Sequence, residues 1–198
     1  MRDIVINNSL KFIQKNISYN DEKLAELKYG LEGIYILITK AIVILSAALL
    51  LGIFKEVIIF TLTYSLIRMF SFGLHATKSW ICLISSLIIF LSIPYICLII
   101  KIPIFIKSII GIICILFILK NSPADTYKRP IINKKRRERY KFLSTIISII
   151  MIITALYINN NFLSNALVFS NVVQIFMISP IIYRLFKLPY NNYKRYQM

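Results

Sequence analysis

The sequence predicts an all-α membrane protein, a polytopic helical bundle with about six transmembrane helices and an N-terminal amphipathic helical segment. Hydrophobic residues make up 58% of the 198 residues, against about 45–50% in soluble domains, and the mean hydropathy is +0.74. Six apolar runs are each close to the roughly 17–25 residues that cross a bilayer as a helix. We therefore expect residues 1–198 to form a single integral-membrane domain.

The six runs follow one another along the chain with polar connections between them. They cover residues 34–54, 57–72, 80–100, 102–119, 142–158 and 162–183. Before them, residues 1–33 mix charged side chains with spaced apolar ones, which is typical either of a helix or helix pair on the membrane surface or of a short amphipathic helix packed on the bundle. A helix start is expected between Ser18 and Glu22, and Pro94 and Pro180 are expected to kink the runs that contain them.

The distribution of charge predicts the topology. The formal net charge of +16 comes from 24 Lys and Arg against 8 Asp and Glu, and basic residues are retained in cytoplasmic loops. Many of them lie in the predicted loop 120–141, which we expect in the cytoplasm of a multi-pass cell-membrane protein. Counting crossings places both termini and the 72–79 connection on that same side. The expected partners of these cations are anionic lipid or an acidic peptide, not nucleic acid.

One stretch between the second and third runs departs from the apolar pattern. It contains Arg68, Cys82 and the only histidine, His75, and an ionisable side chain at membrane depth is costly unless it has a partner or a wet cavity. On one straight helix, seven residues would separate His75 from Cys82 by about 10.5 Å, whereas proton transfer needs about 3 Å. The chain is therefore predicted to break here, with Gly73 in the turn and Ser79 as the N-cap of the third run.

Under that geometry, His75 and Cys82 predict a cysteine peptidase or acyltransferase. The first turn of a helix favours a thiolate at Cys82, and His75 would accept the thiol proton. Arg68 either snorkels to the interface or stabilises an oxyanion or a substrate carboxylate. Glu32 and Asp125, the acids expected at the same membrane face, are candidates for orienting the imidazole. Other cysteines lie deep in apolar runs and are expected to be buried packing residues, namely Cys97 and Cys114.

Two other classes of function stay open at this point. A non-enzymatic small transporter or assembly factor would use His75 and Cys82 only for packing. A metal-dependent hydrolase is disfavoured because a single histidine with scattered acids and no CxxC spacing provides no recognisable ligand set. No cofactor is expected, since the chain lacks a glycine-rich phosphate loop.

Several short motifs resemble those of the accessory gene regulator B (AgrB) family of bacterial membrane cysteine peptidases. They are Arg68, Gly73, His75-Ala76 and Cys82 with their spacing, Tyr29-Gly30-Leu31-Glu32 before the first run, and Pro123-Ala124-Asp125-Thr126 at the start of the basic loop. The chain length and number of spans are similar too. One departure is Phe72, where many members have a second glycine.

The resemblance implies that Cys82 is the nucleophile and His75 its base, acting on a small AgrD-like precursor peptide of quorum sensing. Cleavage would release the precursor's C-terminal tail, leave a thioester on Cys82, and permit cyclisation to a thiolactone or lactone. The resemblance also implies a homodimer. From charge alone, we expect an acidic precursor tail to bind a group of basic residues in the 120–141 loop. They are Lys134, Lys135, Arg136 and Arg137.

Overall fold

A computed structural model of the protein describes residues 2–16, 20–74, 79–126 and 130–196. Within these ranges the chain forms eight α-helices and a terminal 3-10 helix, η1, without strands. The elements are α1 (Arg2–Asn16), α2 (Asp21–Leu50), α3 (Phe54–Ser71), α4 (Ser79–Ile99), α5 (Ile104–Asn121), α6 (Lys134–Tyr157), α7 (Asn161–Ile178), α8 (Pro180–Leu185) and η1 (Asn192–Tyr196). The predicted all-α class is confirmed.

Five of the described helices are long and apolar enough to cross a membrane, namely α2, α4, α5, α6 and α7. Large apolar side chains project from them without cover, including Leu37 on α2, Ile88 on α4 and Leu116 on α5, each at least 60% exposed. On helices of this length and hydropathy, such surfaces are typical of contact with lipid tails. The chain is therefore a multi-pass membrane protein, as predicted.

The remaining predicted crossing, the second apolar run, is α3, a helix of only 18 residues. It contains three charged side chains, Lys55 and Glu56 in the first turn and Arg68 in the last. Between those ends the helix is packed, since Val57 and Ile67 are fully buried. The charged residues are thus confined to the two ends of α3, and its middle belongs to the core of the bundle.

The chain divides into two compact units, residues 1–47 and 48–198. In the first, α1 buries Ile6 and Leu10, one helical turn apart, and leaves Phe12 exposed. The Asn20 side chain accepts a hydrogen bond from the Lys23 amide at 3.1 Å and so caps α2, within the predicted start region. The predicted 1–33 segment is therefore divided between α1 and the first turns of α2, which continues without a break into the first span.

In the second unit, α7 is the central helix. Buried residues make up 56% of its most apolar 18-residue window, against at most 28% in the other spans. Its polar side chains bond to neighbouring helices inside the bundle: Ser170 to Thr63 at 2.9 Å and Asn171 to Ser148 at 2.7 Å. In an apolar medium such bonds fix how the helices pack against one another. Pro180 ends α7 and begins α8, because proline lacks the N–H that a continuing helix would need.

The connections of the second unit lie at two ends of the bundle. At one end, the Asn161 and Asn165 side chains of α7 both donate to the Ile100 carbonyl after α4, at 3.0 and 2.7 Å. At the other end, the chain after α3 meets the chain after α5, because the Gly73 amide donates to the Ala124 carbonyl at 2.9 Å. This second end also holds the start of α4, where Cys82 is found, and the basic start of α6.

Candidate functional site

The helix is interrupted where the sequence predicted it. α3 ends at Ser71, and the next two residues have positive φ angles, 55° at Phe72 and 116° at Gly73. α4 begins at Ser79, so no straight helix joins Arg68 to Cys82. His75 lies in residues 75–78, outside the described part of the chain, and its position relative to Cys82 stays a prediction.

Gly73 occupies a position that no other residue fits. A φ of 116° is strained for any side chain with a Cβ. A Cβ built there would also lie 2.7 Å from the Met177 carbonyl oxygen and 3.1 Å from Nη1 of Arg68. The backbone of α7 therefore approaches this turn as closely as a glycine allows.

Two other parts of the chain, the residues after α5 and helix α7, hold residues 71–74, which we call the 71–74 turn. After α5, Ala124 donates its amide to the Ser71 carbonyl at 3.1 Å and accepts from the Gly73 amide. On α7, the Met177 carbonyl accepts from the Leu74 amide at 2.8 Å, and the Gln174 side chain donates to the Phe72 carbonyl at 2.8 Å. The backbone groups of the turn are thus paired on both sides by tertiary contacts, and the Phe72 amide also donates to the Arg68 carbonyl of α3 at 3.0 Å.

Phe72 holds a conformation that L-residues adopt at a cost of about 1–3 kcal/mol. Its ring packs edge-on against Tyr140 of α6, with the centroids 5.0 Å apart. This ring contact and the bond from Gln174 offset the strain. Phe72 thus supplies the positive φ that a glycine would supply, and the departure from the family pattern does not remove the bend.

Arg68 turns inward onto the 71–74 turn. Its Nη2 donates to the Leu74 carbonyl at 2.7 Å, and its guanidinium lies 6.0 Å from the centroid of the Tyr64 ring. Its Nη1 is buried and has no hydrogen-bond partner among the described residues, as is also true of Oε1 of Gln174. The guanidinium therefore contacts the turn and leaves one buried cationic donor beside Gly73, and its role toward a substrate stays a prediction.

Cys82 is the fourth residue of α4 and is half-buried. The helix begins one residue earlier than predicted, at Ser79, which is within the range by which definitions of helix ends differ. Ser79 therefore belongs to the first turn, and its side chain lies outside the described part. The other two cysteines, Cys97 and Cys114, are buried as predicted, so Cys82 is the only one of the three that is partly exposed.

The two acidic candidates have different surroundings. Asp125 is buried, and its two carboxylate oxygens accept the backbone amides of Asn192 at 2.9 Å and Tyr193 at 2.8 Å. Glu32 is a half-buried residue of α2 and belongs to the first compact unit. The described contacts of Asp125 make it an anchor for the end of the chain, and a role of either acid at the imidazole stays a prediction.

The second part of the predicted basic loop, from Lys134 onward, is helical and belongs to α6. The Asn133 side chain accepts from the Arg136 amide at 3.2 Å and caps α6, so the cations from Lys134 onward lie on its first two turns. Lys134, Lys135 and Arg136 are exposed. Arg137 is half-buried, with its guanidinium carbon 3.2 Å from the centroid of the Tyr193 ring. Three of the four predicted tail-binding cations are therefore exposed, and the fourth, Arg137, is partly buried against Tyr193.

Sequence reasoning missed the residues that hold the turn from a distance. Gln174 and Met177 contact it from about a hundred positions away, and Tyr140 contacts it from α6. A signal was present for one of them, since Gln174 is one of several polar residues in the last apolar run, and polar groups inside a membrane bundle usually have a specific partner.

Comparison with known proteins gives a consistent family assignment. The family model described as Accessory gene regulator B matches residues 6–178. A putative AgrB-like protein of Listeria innocua is 32% identical over 182 residues, covering 90% of this chain and 87% of the relative. One of Clostridium acetobutylicum is 27% identical over 189 residues, covering 96% and 90%. Accessory gene regulator protein B of Staphylococcus carnosus is 30% identical over 150 residues, covering 76% and 78%. No solved structure matches.

Proposed function

The chain belongs to the accessory gene regulator B family, and from that premise we propose that it is a membrane cysteine endopeptidase acting on an AgrD-like precursor peptide. The observation that carries the proposal is the position of Cys82. It is the one cysteine that is not buried, and it lies on the first turn of a helix that follows a fixed, non-helical turn. A helix start and a nearby base are the surroundings that activate a thiol.

The first half of the proposed reaction is acyl transfer to the enzyme. His75 accepts the proton of the Cys82 thiol, and the thiolate attacks the carbonyl carbon of the bond before the precursor's tail. When the C–N bond breaks, His75 returns the proton to the leaving amine. The tail departs with a new amino terminus, and the rest of the precursor stays on Cys82 as a thioester.

The second half forms the ring. A cysteine or serine side chain of the bound peptide loses its proton to His75 and attacks the thioester carbonyl. The bond from that carbon to Cys82 breaks, and His75 returns the proton to the Cys82 thiolate. Exchange of one thioester for a thiolactone roughly conserves the activation of the acyl group, so cyclisation competes with hydrolysis only where water is excluded. A site at the boundary of the bilayer provides that exclusion.

Arg68 is our candidate for stabilising the charge that develops at the substrate carbonyl. Its buried Nη1 has no partner among the described residues, while Nη2 is held by the Leu74 carbonyl. A donor fixed in place before the reaction stabilises an oxyanion without reorganisation. The same group would serve equally for a substrate carboxylate.

We place the site, the start of α6 and both termini on the cytoplasmic side, because the basic residues at that end of the bundle favour it. The proposed partner is then a precursor whose amphipathic helix lies in the membrane interface. A homodimer is proposed from family likeness alone.

The exposed cations of α6 are proposed to recruit the precursor's acidic tail. Lys134, Lys135 and Arg136 stand at a helix N-terminus, where the helix dipole adds to their attraction for an anion. Changing all three to Gln should raise KM about tenfold at low salt, with kcat retained, and the difference should shrink as ionic strength rises. Initial rates in liposomes across a salt series measure both effects.

Lys55→Gln with Lys101→Gln is the matched control for this prediction. Both lysines are exposed, and they lie at the start of α3 and after the end of α4, away from the site. KM should not change in that variant. A KM unaffected by neutralising the α6 cations in correctly inserted protein would remove the recruitment proposal.

The proposed function is tested by reconstituting the protein in lipid vesicles with the candidate precursor and measuring the masses of the products by mass spectrometry. The wild type should release the tail and yield a cyclic product one water lighter than the linear peptide that lacks the tail. The His75→Ala variant should yield neither product, although it is present in the membrane at the normal level. Full processing by His75→Ala would instead favour the alternative, a transporter or assembly factor in which the histidine only packs.

A further inference from the structure

Residues 189–196, which we call the 189–196 segment, are held by a buried carboxylate. Asp125 is 4% exposed, and its two oxygens each accept one backbone amide, from Asn192 and Tyr193, at the start of η1. A carboxylate at this position satisfies the unpaired amides that every helix start leaves. Asn192 is itself buried at 1% exposure, so the contact is an internal one.

Aromatic residues strengthen the attachment. The Tyr190 hydroxyl donates to the Asn121 carbonyl at 3.5 Å, and the Tyr183 hydroxyl donates to the Asp125 carbonyl at 3.2 Å. Burial, with Tyr193 and Asp125 nearby, raises the pKa of Tyr190, so its hydroxyl stays protonated and able to donate. Arg137 of α6 stacks on the Tyr193 ring from the other side. The segment therefore joins the chain after α5 to the first turns of α6.

Ala124, the residue before Asp125, is one of the residues that hold the 71–74 turn. Ala124 is 2% exposed and bonds to the 71–74 turn in both directions, accepting from the Gly73 amide at 2.9 Å and donating to the Ser71 carbonyl at 3.1 Å. Because Ala124 and Asp125 are adjacent, anything that fixes the carboxylate also fixes the peptide groups that pair with the turn.

We propose that the 189–196 segment is a positioning element of the peptidase site, acting through Asp125 and Ala124 on the 71–74 turn. The inference rests on the proposed function and extends it to a part of the chain outside the proposed reacting groups. It assigns Asp125 a role distinct from orienting the imidazole. Losing the segment should impair the alignment of the reacting groups and leave precursor binding largely intact, so kcat should fall and KM should change little.

The experiment uses four proteins in lipid vesicles: the wild type, a chain ending after Leu188, Asp125→Asn, and the combination of the two changes. A chain ending after Tyr196 is the control, because it keeps every contact described above. The truncation and Asp125→Asn should each lower kcat about tenfold or more with KM within about twofold. The double variant should be no slower than the slower single variant, because both changes break the same connection.

Hydrogen exchange gives a second measurement that does not depend on cleavage. Truncation after Leu188 should speed exchange of the Gly73 and Ala124 amides, and the control truncation should not. Unchanged exchange and wild-type kcat in the truncated chain would overturn the proposal. Loss of activity in Asp125→Asn alone, with the truncation fully active, would also overturn it and would assign Asp125 to the imidazole. Faster exchange without any cleavage by the wild type would retain the positioning role and reject the peptidase.

Discussion

Cys82→Ser should slow precursor cleavage by about 10⁴-fold or more, the loss typical when the nucleophile of a covalent mechanism is removed. A serine hydroxyl keeps the size of the thiol but is far harder to ionise, so neither the helix start nor His75 can convert it into a comparable nucleophile. Because Cys82 is only half-buried, the change should leave insertion and folding intact. Tail release measured by mass spectrometry, normalised to protein in the membrane, gives the ratio.

The buried cysteines supply the matched controls for this prediction. Cys97→Ala and Cys114→Ala remove thiols that are buried in the second unit. They should retain most of the cleavage rate, with some loss of thermal stability from the cavity that each leaves. Cleavage by Cys82→Ser within tenfold of the wild type would mean that another group performs the attack.

Gly73→Ala should be the most damaging small substitution in the 71–74 turn. The added Cβ would lie 2.7 Å from the Met177 carbonyl oxygen, and the residue would keep a φ of 116° that alanine rarely adopts. Relief requires the turn to move away from α7 or to break its bond with Ala124. We expect a loss of about 2–4 kcal/mol in stability and a fall of roughly 100-fold in kcat, measured by thermal unfolding in detergent and by cleavage in vesicles.

Gly52→Ala is the matched control for Gly73→Ala, because it adds backbone strain without adding a steric contact. Gly52 also has a positive φ, 69°, but no atom lies within 4 Å of a Cβ built there, and it precedes α3 at the opposite end from the site. The Gly52→Ala variant should lose about 1 kcal/mol of stability and keep the wild-type rate of precursor cleavage. Equal activity losses in the two variants would show that the turn is not held by the contacts described here.

The fold could be predicted from the sequence because its signals are local. Long apolar runs identified the spans, Asn20 lies where a helix start was expected, and the spacing of His75 and Cys82 required a break that α3 and α4 contain. The start of α6 was placed wrongly in a loop, since a run of cations opposes the helix dipole and gives no apolar periodicity. The Asn133 cap was the overlooked local signal.

The contacts that build the site could not be predicted in the same way. Gln174 and Phe72 are 102 residues apart, and Asp125 and Tyr193 are 68 residues apart, so no local pattern relates them. Asp125 and Arg137 were candidates for other roles in the sequence, orienting the imidazole and binding the precursor's tail, and nothing local predicted their contacts with the 189–196 segment. The pairing of His75 with Cys82 remains a prediction from chemistry and family resemblance.

The central claim is a covalent bond between the precursor and Cys82, and the most direct test is the mass of that species. A precursor whose ring-forming cysteine or serine is changed to alanine can donate its acyl group but cannot cyclise, so the thioester should accumulate. We predict an adduct on the peptide that contains Cys82. Its added mass should equal the mass of the precursor minus that of the released tail, and hydroxylamine should remove it. Stoichiometric tail release with every cysteine unmodified, or with the adduct on Cys97 or Cys114, would contradict the account.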